Sequence, residues 1–66
     1  MAIIKVLEIL ASSDTSWEEA AQNAVSEASK TVRNIRSANI QNMSSVVKDG
    51  KITEYRVNCK IAFEVK

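Results

Sequence analysis

From Glu54 to Val65 the chain alternates without a break: Tyr55, Val57, Cys59, Ile61, Phe63 and Val65 are separated by Arg56, Asn58, Lys60, Ala62 and Glu64. A period of two puts the first set on one face of a β-strand and the second set on the other. Taken from Ile52 to Val65, that strand extends about 45 Å at 3.3 Å per residue. Its apolar face needs a cover of similar length. The remaining residues must supply that cover, and there are few of them: the chain has 66 residues in all.

The helical period supplies part of it. Trp17, Ala20, Ala21, Ala24, Val25, Ala28, Val32 and Ile35 fall on one helical stripe. Ser16 followed by Glu19 matches a capping box, in which each side chain satisfies the other's free backbone N–H. Glu18 and Glu19 in the first turn, with Lys30 and Arg33 near the end, are ordered to suit the helix dipole. A helix from Trp17 to Ile35 is only about 28 Å long at 1.5 Å per residue, so it cannot cover the strand. Ahead of it, Ile3 to Leu10 is aliphatic on both faces apart from Lys5 and Glu8, the pattern of a strand covered on both sides.

Between helix and long strand, Lys48-Asp49-Gly50-Lys51 holds the Asp-Gly pair of a two-residue type I′ hairpin. With Asp49 and Gly50 as the loop, Val47 faces Ile52, Met43 faces Arg56, Gln41 faces Asn58 and Ile40 faces Cys59. A bulge would shift this by one. The order is therefore β-α-β-β: an α+β fold with a three-stranded antiparallel sheet around one helix, as a single domain over residues 1–66. With no proline and one glycine, no linker divides it.

A domain of this size buries only about 60% of the surface its unfolded chain exposes. One cysteine excludes an internal disulfide, and the absence of histidine excludes the ordinary zinc and haem constellations. Self-association is what remains to stabilise it, and it would also cover the sheet. A net charge of +1 without a basic run excludes a strong phosphate-backbone binder, so no nucleic-acid partner is expected. No window is long and apolar enough for a membrane span, and a free cysteine suits a reducing compartment, so the expected location is cytoplasmic.

The combination of Lys5-Val6-Leu7-Glu8-Ile9, Ser13-Asp14-Thr15-Ser16-Trp17-Glu18-Glu19-Ala20, Asn34-Ile35-Arg36 and Gly50-Lys51-Ile52-Thr53-Glu54-Tyr55-Arg56-Val57 resembles the dodecin family over nearly the whole chain. That resemblance implies twelve copies in a hollow sphere of cubic symmetry, with flavin storage and no turnover. In flavin-binding dodecins a tryptophan at the start of the second strand stacks on the isoalloxazine and a glutamine on the third strand bonds its polar edge. Alignment through Asn34-Ile35-Arg36 and Glu54-Tyr55-Arg56 puts Ser37 and Arg56 at those positions. Both determinants are replaced, which resembles the non-flavin branch sometimes called calcium dodecins. The hairpin register places Ser37 and Arg56 on one face of the sheet. The expected ligand-binding set is Ser37, Arg56, Met43 and Gln41, with Met43 as pocket wall or packing and Arg56 either contacting ligand or making an intersubunit salt bridge.

The expected function is non-catalytic binding or storage of a small molecule or ion, with flavin binding weakened or lost. A true flavin-storing dodecin and a calcium-binding one are the alternatives. Calcium needs six to eight oxygens, and without an EF-hand spacing such a site would be assembled between subunits. Asp14, Glu18, Glu19 and Glu27 form either a solvated helix face or an acidic ring near a symmetry axis. Trp17 on the helix stripe reads as packing rather than ligand stacking, and Cys59, with no base to activate it, reads as inert core.

Overall fold

The computed structural model describes residues 2–65. β1 (Ile3–Ser13) leads through a tight connection into α1 (Trp17–Ala28), followed by β2 (Ile35–Lys48) and β3 (Lys51–Val65). The sheet order is β1-β3-β2, antiparallel throughout, so the alternating strand lies in the centre. The β-α-β-β order and the three-stranded sheet are those expected.

α1 lies mostly over β1 and β3 and touches β2 little. Its buried residues are Ala20, Ala24 and Ala28, and they meet Val57, Cys59 and Ile61 from β3. Alanine has no side chain beyond Cβ, so the helix sits close to the sheet and the volume comes from β3. The molecule extends 51 × 19 × 13 Å, whereas a 12-residue helix spans only about 18 Å at 1.5 Å per residue. Most of the sheet's length therefore has no helix above it.

The helix is shorter than its apolar stripe. It ends at Ala28 rather than Ile35, and Ser29 caps it with its hydroxyl on the Val25 carbonyl at 2.7 Å. The chain tightens there, with Lys30 N–H on Glu27 O and Thr31 N–H on Ala28 O. Thr31 and Val32 are β-branched and resist continuation, and Asn34, at φ 61°, turns the backbone into β2. Ile35 keeps the helical spacing by coincidence and reaches the same core from the sheet, opposite Phe63. Lys30 and Arg33 consequently lie beyond the last helical turn.

The start of α1 also departs from the full capping box. Ser16 accepts from Glu19 N–H at 3.0 Å, but the Glu19 carboxylate accepts the Ser13 hydroxyl instead of reaching back to Ser16. Ser13 Oγ in turn accepts from Thr15 N–H at 2.9 Å, so this buried serine joins the end of β1 to the helix. Pairing along β3 carries β1 three residues past Leu10 to Ser13.

At the hairpin, Asp49 (φ 52°) and Gly50 (φ 76°) both have positive φ, as a type I′ turn requires. A Cβ at position 50 would meet no atom within 4 Å, so any penalty there is conformational. Gly50→Val is expected to cost about 1–2 kcal/mol from the left-handed backbone alone, and Gly50→Asn much less. Paired thermal melts check this. Equal melting temperatures for the parent and the valine variant would refute the turn assignment.

Candidate ligand-binding surface

β1 pairs with β3 in one unbroken register from Ile3↔Val65 to Ser13↔Tyr55. β2 does not: its register shifts between Ile35 and Ser37, Ile40 and Asn42, and Val46 and Val47. Val47 opposite Ile52 and Ile40 opposite Cys59 are as expected, but the residues between them have moved. Met43 lies opposite Val57, not Arg56, and Asn42 rather than Gln41 lies opposite Asn58. Gln41 is the extra residue of a bulge.

Since Val57, Cys59 and Ile61 face the helix, the even-numbered residues of β3 face away from it. On that outer face Arg56 lies between Ser12 and Ser44, Asn58 between Leu10 and Asn42, Lys60 between Glu8 and Asn39, and Ala62 between Val6 and Ser37. Ser37 and Arg56 therefore share a face. They are not neighbours: Ser37 sits beside Ala62, six residues and about 20 Å along β3 from Arg56 at 3.3 Å per residue. A pocket using both takes them from different copies of the chain.

Met43 belongs to the other side of the sheet. With Trp17, Ala21, Ile40, Val57 and Glu18 it lines an apolar notch of about 170 Å³, left open because α1 does not reach across β2. Trp17 forms one wall, its indole N–H donating to the Ser44 carbonyl at 2.9 Å and its ring edge-on to Tyr55 at 4.9 Å. This indole is packing between helix and sheet. Phe63 and Tyr55 occupy odd positions of β3, so all three aromatic residues of the chain lie on the helix side. The outer face presents no ring for a planar ligand to stack on.

The outer face carries charge of both signs. Arg56 Nε is 3.8 Å from Glu54 Oε1, a loose and exposed pair that leaves most of the guanidinium's donors free. Arg36, beside Ser37, is held more firmly at 2.8 Å from Glu64 Oε1. Asn58 Oδ1 is buried with no hydrogen-bond partner. That amide and its neighbours Asn42 and Ser44 were not singled out from the sequence, because the bulge at Gln41 decides which β2 residues stand beside β3. The alternation did place Asn58 on the polar face.

The carboxylates divide. Asp14, Glu19 and Glu54 line an open cavity of about 520 Å³ at the β1–α1 junction, Glu27 pairs with Lys30 at 2.9 Å, and Glu18 sits at the apolar notch. Among the described residues no group of three acidic or cysteine side chains converges closely enough to hold a metal ion. Cys59 is fully buried, its thiol pushed up in pKa by burial and directed at the Ile9 carbonyl at 3.6 Å. It is core.

The family whose description matches this sequence is dodecin, over residues 3–66. The chain belongs to the dodecin family. Among dodecins, the calcium dodecin of Mycobacterium tuberculosis is 39% identical, over 100% of this chain and 93% of that protein. Its solved structure, described as calcium chelating with a novel calcium-binding site, superposes with a TM-score of 0.84 at 37% identity over 97% of this chain and 91% of that one. The dodecin of Streptomyces coelicolor superposes with a TM-score of 0.94 at 25% identity over 98% and 93%. No described helix is long and apolar enough to cross a membrane.

Proposed function

We propose that this dodecin is a non-catalytic, cytoplasmic small-ligand binding and storage protein. Twelve copies assemble into a hollow shell, the ligand site lies between subunits, and flavin is held weakly or not at all. The outer face of the sheet supports this reading: by resemblance to the family Ser37 aligns with the stacking tryptophan of the flavin-binding members, no aromatic ring shares that face, and Ser37 and Arg56 are too far apart in one chain to hold one ligand. One protomer therefore does not fit flavin. Turnover has no support among the described groups, since the one thiol is buried and no histidine exists to act as its base.

Calcium is the second reading, favoured by full-length similarity to a calcium dodecin. A single protomer falls short of the six to eight oxygens calcium takes, because Asp14, Glu19 and Glu54 line a wide cavity without converging and Glu19 already accepts the Ser13 hydroxyl. Oxygens from a neighbouring copy would complete such a site.

Native mass spectrometry of the protein as purified, then with added calcium, tests both readings. Twelve copies of 7.3 kDa give a particle of about 88 kDa, expected without flavin. Calcium-dependent mass increments in multiples of the subunit number would support the second reading. A monomer or dimer at micromolar concentration would overturn the assembly, and retained flavin would overturn the weakened pocket.

A further inference from the structure

Two of the β2 irregularities cancel. Gln41 is an extra residue on β2, and Thr53, whose hydroxyl donates to the Val46 carbonyl at 3.4 Å, is an extra residue on β3. Between them, residues 42–46 pair with residues 54–58 one position out of the register that the hairpin sets on either side. A slip of one position turns a whole segment over. From Tyr55 onward β3 keeps an unbroken register with β1, so it is β2 that is turned.

A regular ladder without the two bulges would place Met43 beside Arg56 on the outer face, and Asn42 and Ser44 opposite Val57 and Tyr55 on the helix side. The observed register does the reverse. Asn42 and Ser44 stand on the outer face beside Asn58 and Arg56, and Met43 enters the apolar notch with Trp17, Ala21 and Val57. Trp17 is a fixed wall there, its indole N–H on the Ser44 carbonyl and its ring edge-on to Tyr55. The apolar pattern on a strand's packed face sets its register, and in Gln41-Asn42-Met43-Ser44-Ser45 only Met43 is apolar. An amide turned into that notch would lose its hydrogen bonds to water without gaining partners.

We propose that Met43 is a positioning residue: its seat in the notch holds residues 42–46 out of the hairpin register and so presents Asn42 and Ser44 to a ligand on the outer face. This rests on the outer-face reading above, and it puts Met43 behind the ligand surface rather than in it. Bulges beside binding sites re-aim side chains, and two of opposite sense confine the turning to five residues. Met43 is 61% exposed, so its loss releases the register before it endangers the fold.

Engineered cysteine pairs read the register directly. Ser44→Cys with Arg56→Cys reports the observed one, in which the two are opposite each other, and Ser45→Cys with Glu54→Cys reports the slipped one, since those residues now lie on different faces. Directly opposed residues have Cα atoms about 4.5–5.5 Å apart, within the span of a disulfide. Cys59 is fully buried and stays in place. Each pair is built into the full chain with Met43, Met43→Leu and Met43→Ser, and intrachain disulfide formation under mild oxidation is followed on non-reducing denaturing gels beside far-ultraviolet circular dichroism. With Met43 or leucine, the 44/56 pair is expected to close and the 45/54 pair to stay open; with serine, 45/54 should close at least tenfold faster than in the parent. A 45/54 rate that serine does not raise overturns the proposal. So does a parent in which 45/54 closes as fast as 44/56, or a leucine variant that behaves like serine. Should Met43→Ser lose its fold, Met43→Gln, of nearly the parent length, decides by the same rates. The disulfides form without any ligand, so a register held by Met43 with no ligand on the outer face would refute only the binding reading, and a bound ligand with a register indifferent to Met43 would refute only this one.

Discussion

Ile61→Ala is expected to leave little folded or assembled protein at physiological temperature. Ile61 is fully buried in the middle of β3, under α1 and opposite Leu7 of β1. Truncating a buried isoleucine typically costs about 2–5 kcal/mol, part of it for the cavity left behind. At about 0.05–0.15 kcal/mol per residue, a chain of this size has only ~3–10 kcal/mol to lose. The core offers little compensation, because its other buried apolar members are three alanines, Val57 and Cys59. Circular dichroism melts should show the midpoint falling by ~10 °C or more, since each kcal/mol moves a domain of this size by about 4–8 °C. Ile61→Val, at about 0.5–1.5 kcal/mol, should retain fold and particle with a smaller decrease. Because association stabilises the folded state, both midpoints should rise with protein concentration. An alanine variant melting within a few degrees of the parent would mean that the stability resides in the intersubunit contacts and not in this core.

What the sequence made legible follows from which interactions set each element. The alternation through β3 and the Asp49-Gly50 turn depend on neighbouring residues alone, and both were readable. Ser16 as a cap was readable for the same reason. The end of α1 was not, because Ile35 has helical spacing while its actual partner is Phe63, 28 positions away in sequence. The capping carboxylate was diverted by Ser13, whose proximity depends on how β1 enters the helix. Bulges were the largest loss for the candidate site. The hairpin geometry fixed Val47 opposite Ile52 at the turn, but the shifts at Val46/Val47 and Ile40/Asn42 carried Met43 to the helix side and left Gln41 without a β3 partner. A bulge exchanges ladder hydrogen bonds for twist and curvature, a balance set by the whole sheet. Ser37 and Arg56 came out on one face because the two shifts between them are opposite in sense and cancel, leaving Ser37 opposite Ala62 as the hairpin alone would place it. Their separation of about 20 Å follows from strand rise and shows why one chain could not disclose a pocket.

Riboflavin is expected to bind the unmodified protein with a Kd in the micromolar range or weaker, and Ser37→Trp combined with Arg56→Gln to tighten it five- to a hundredfold. Stacking of a ring on an aromatic side chain contributes about 1–3 kcal/mol by analogy with nucleobases, which converts to that range at 1.4 kcal/mol per factor of ten. The structure has room for the indole, since Ser37 is exposed and its β3 neighbour is Ala62. Glutamine at position 56 restores an amide that both donates and accepts, where a guanidinium only donates. Flavin fluorescence reads affinity and geometry together: a ring stacked on tryptophan is quenched, and one resting near serine is not. Submicromolar, strongly quenched binding by the unmodified protein would return it to the flavin-storing group. No gain in the double variant would mean that the pocket is not built at Ser37. The distance between the two positions adds a stricter condition: for a site that Ser37 and Arg56 build across subunits, the affinity gained by the double variant should fall as dilution takes the particle apart. Tight, quenched binding that persists in the dissociated protein would place the whole site within one chain, against the register that separates Ser37 from Arg56.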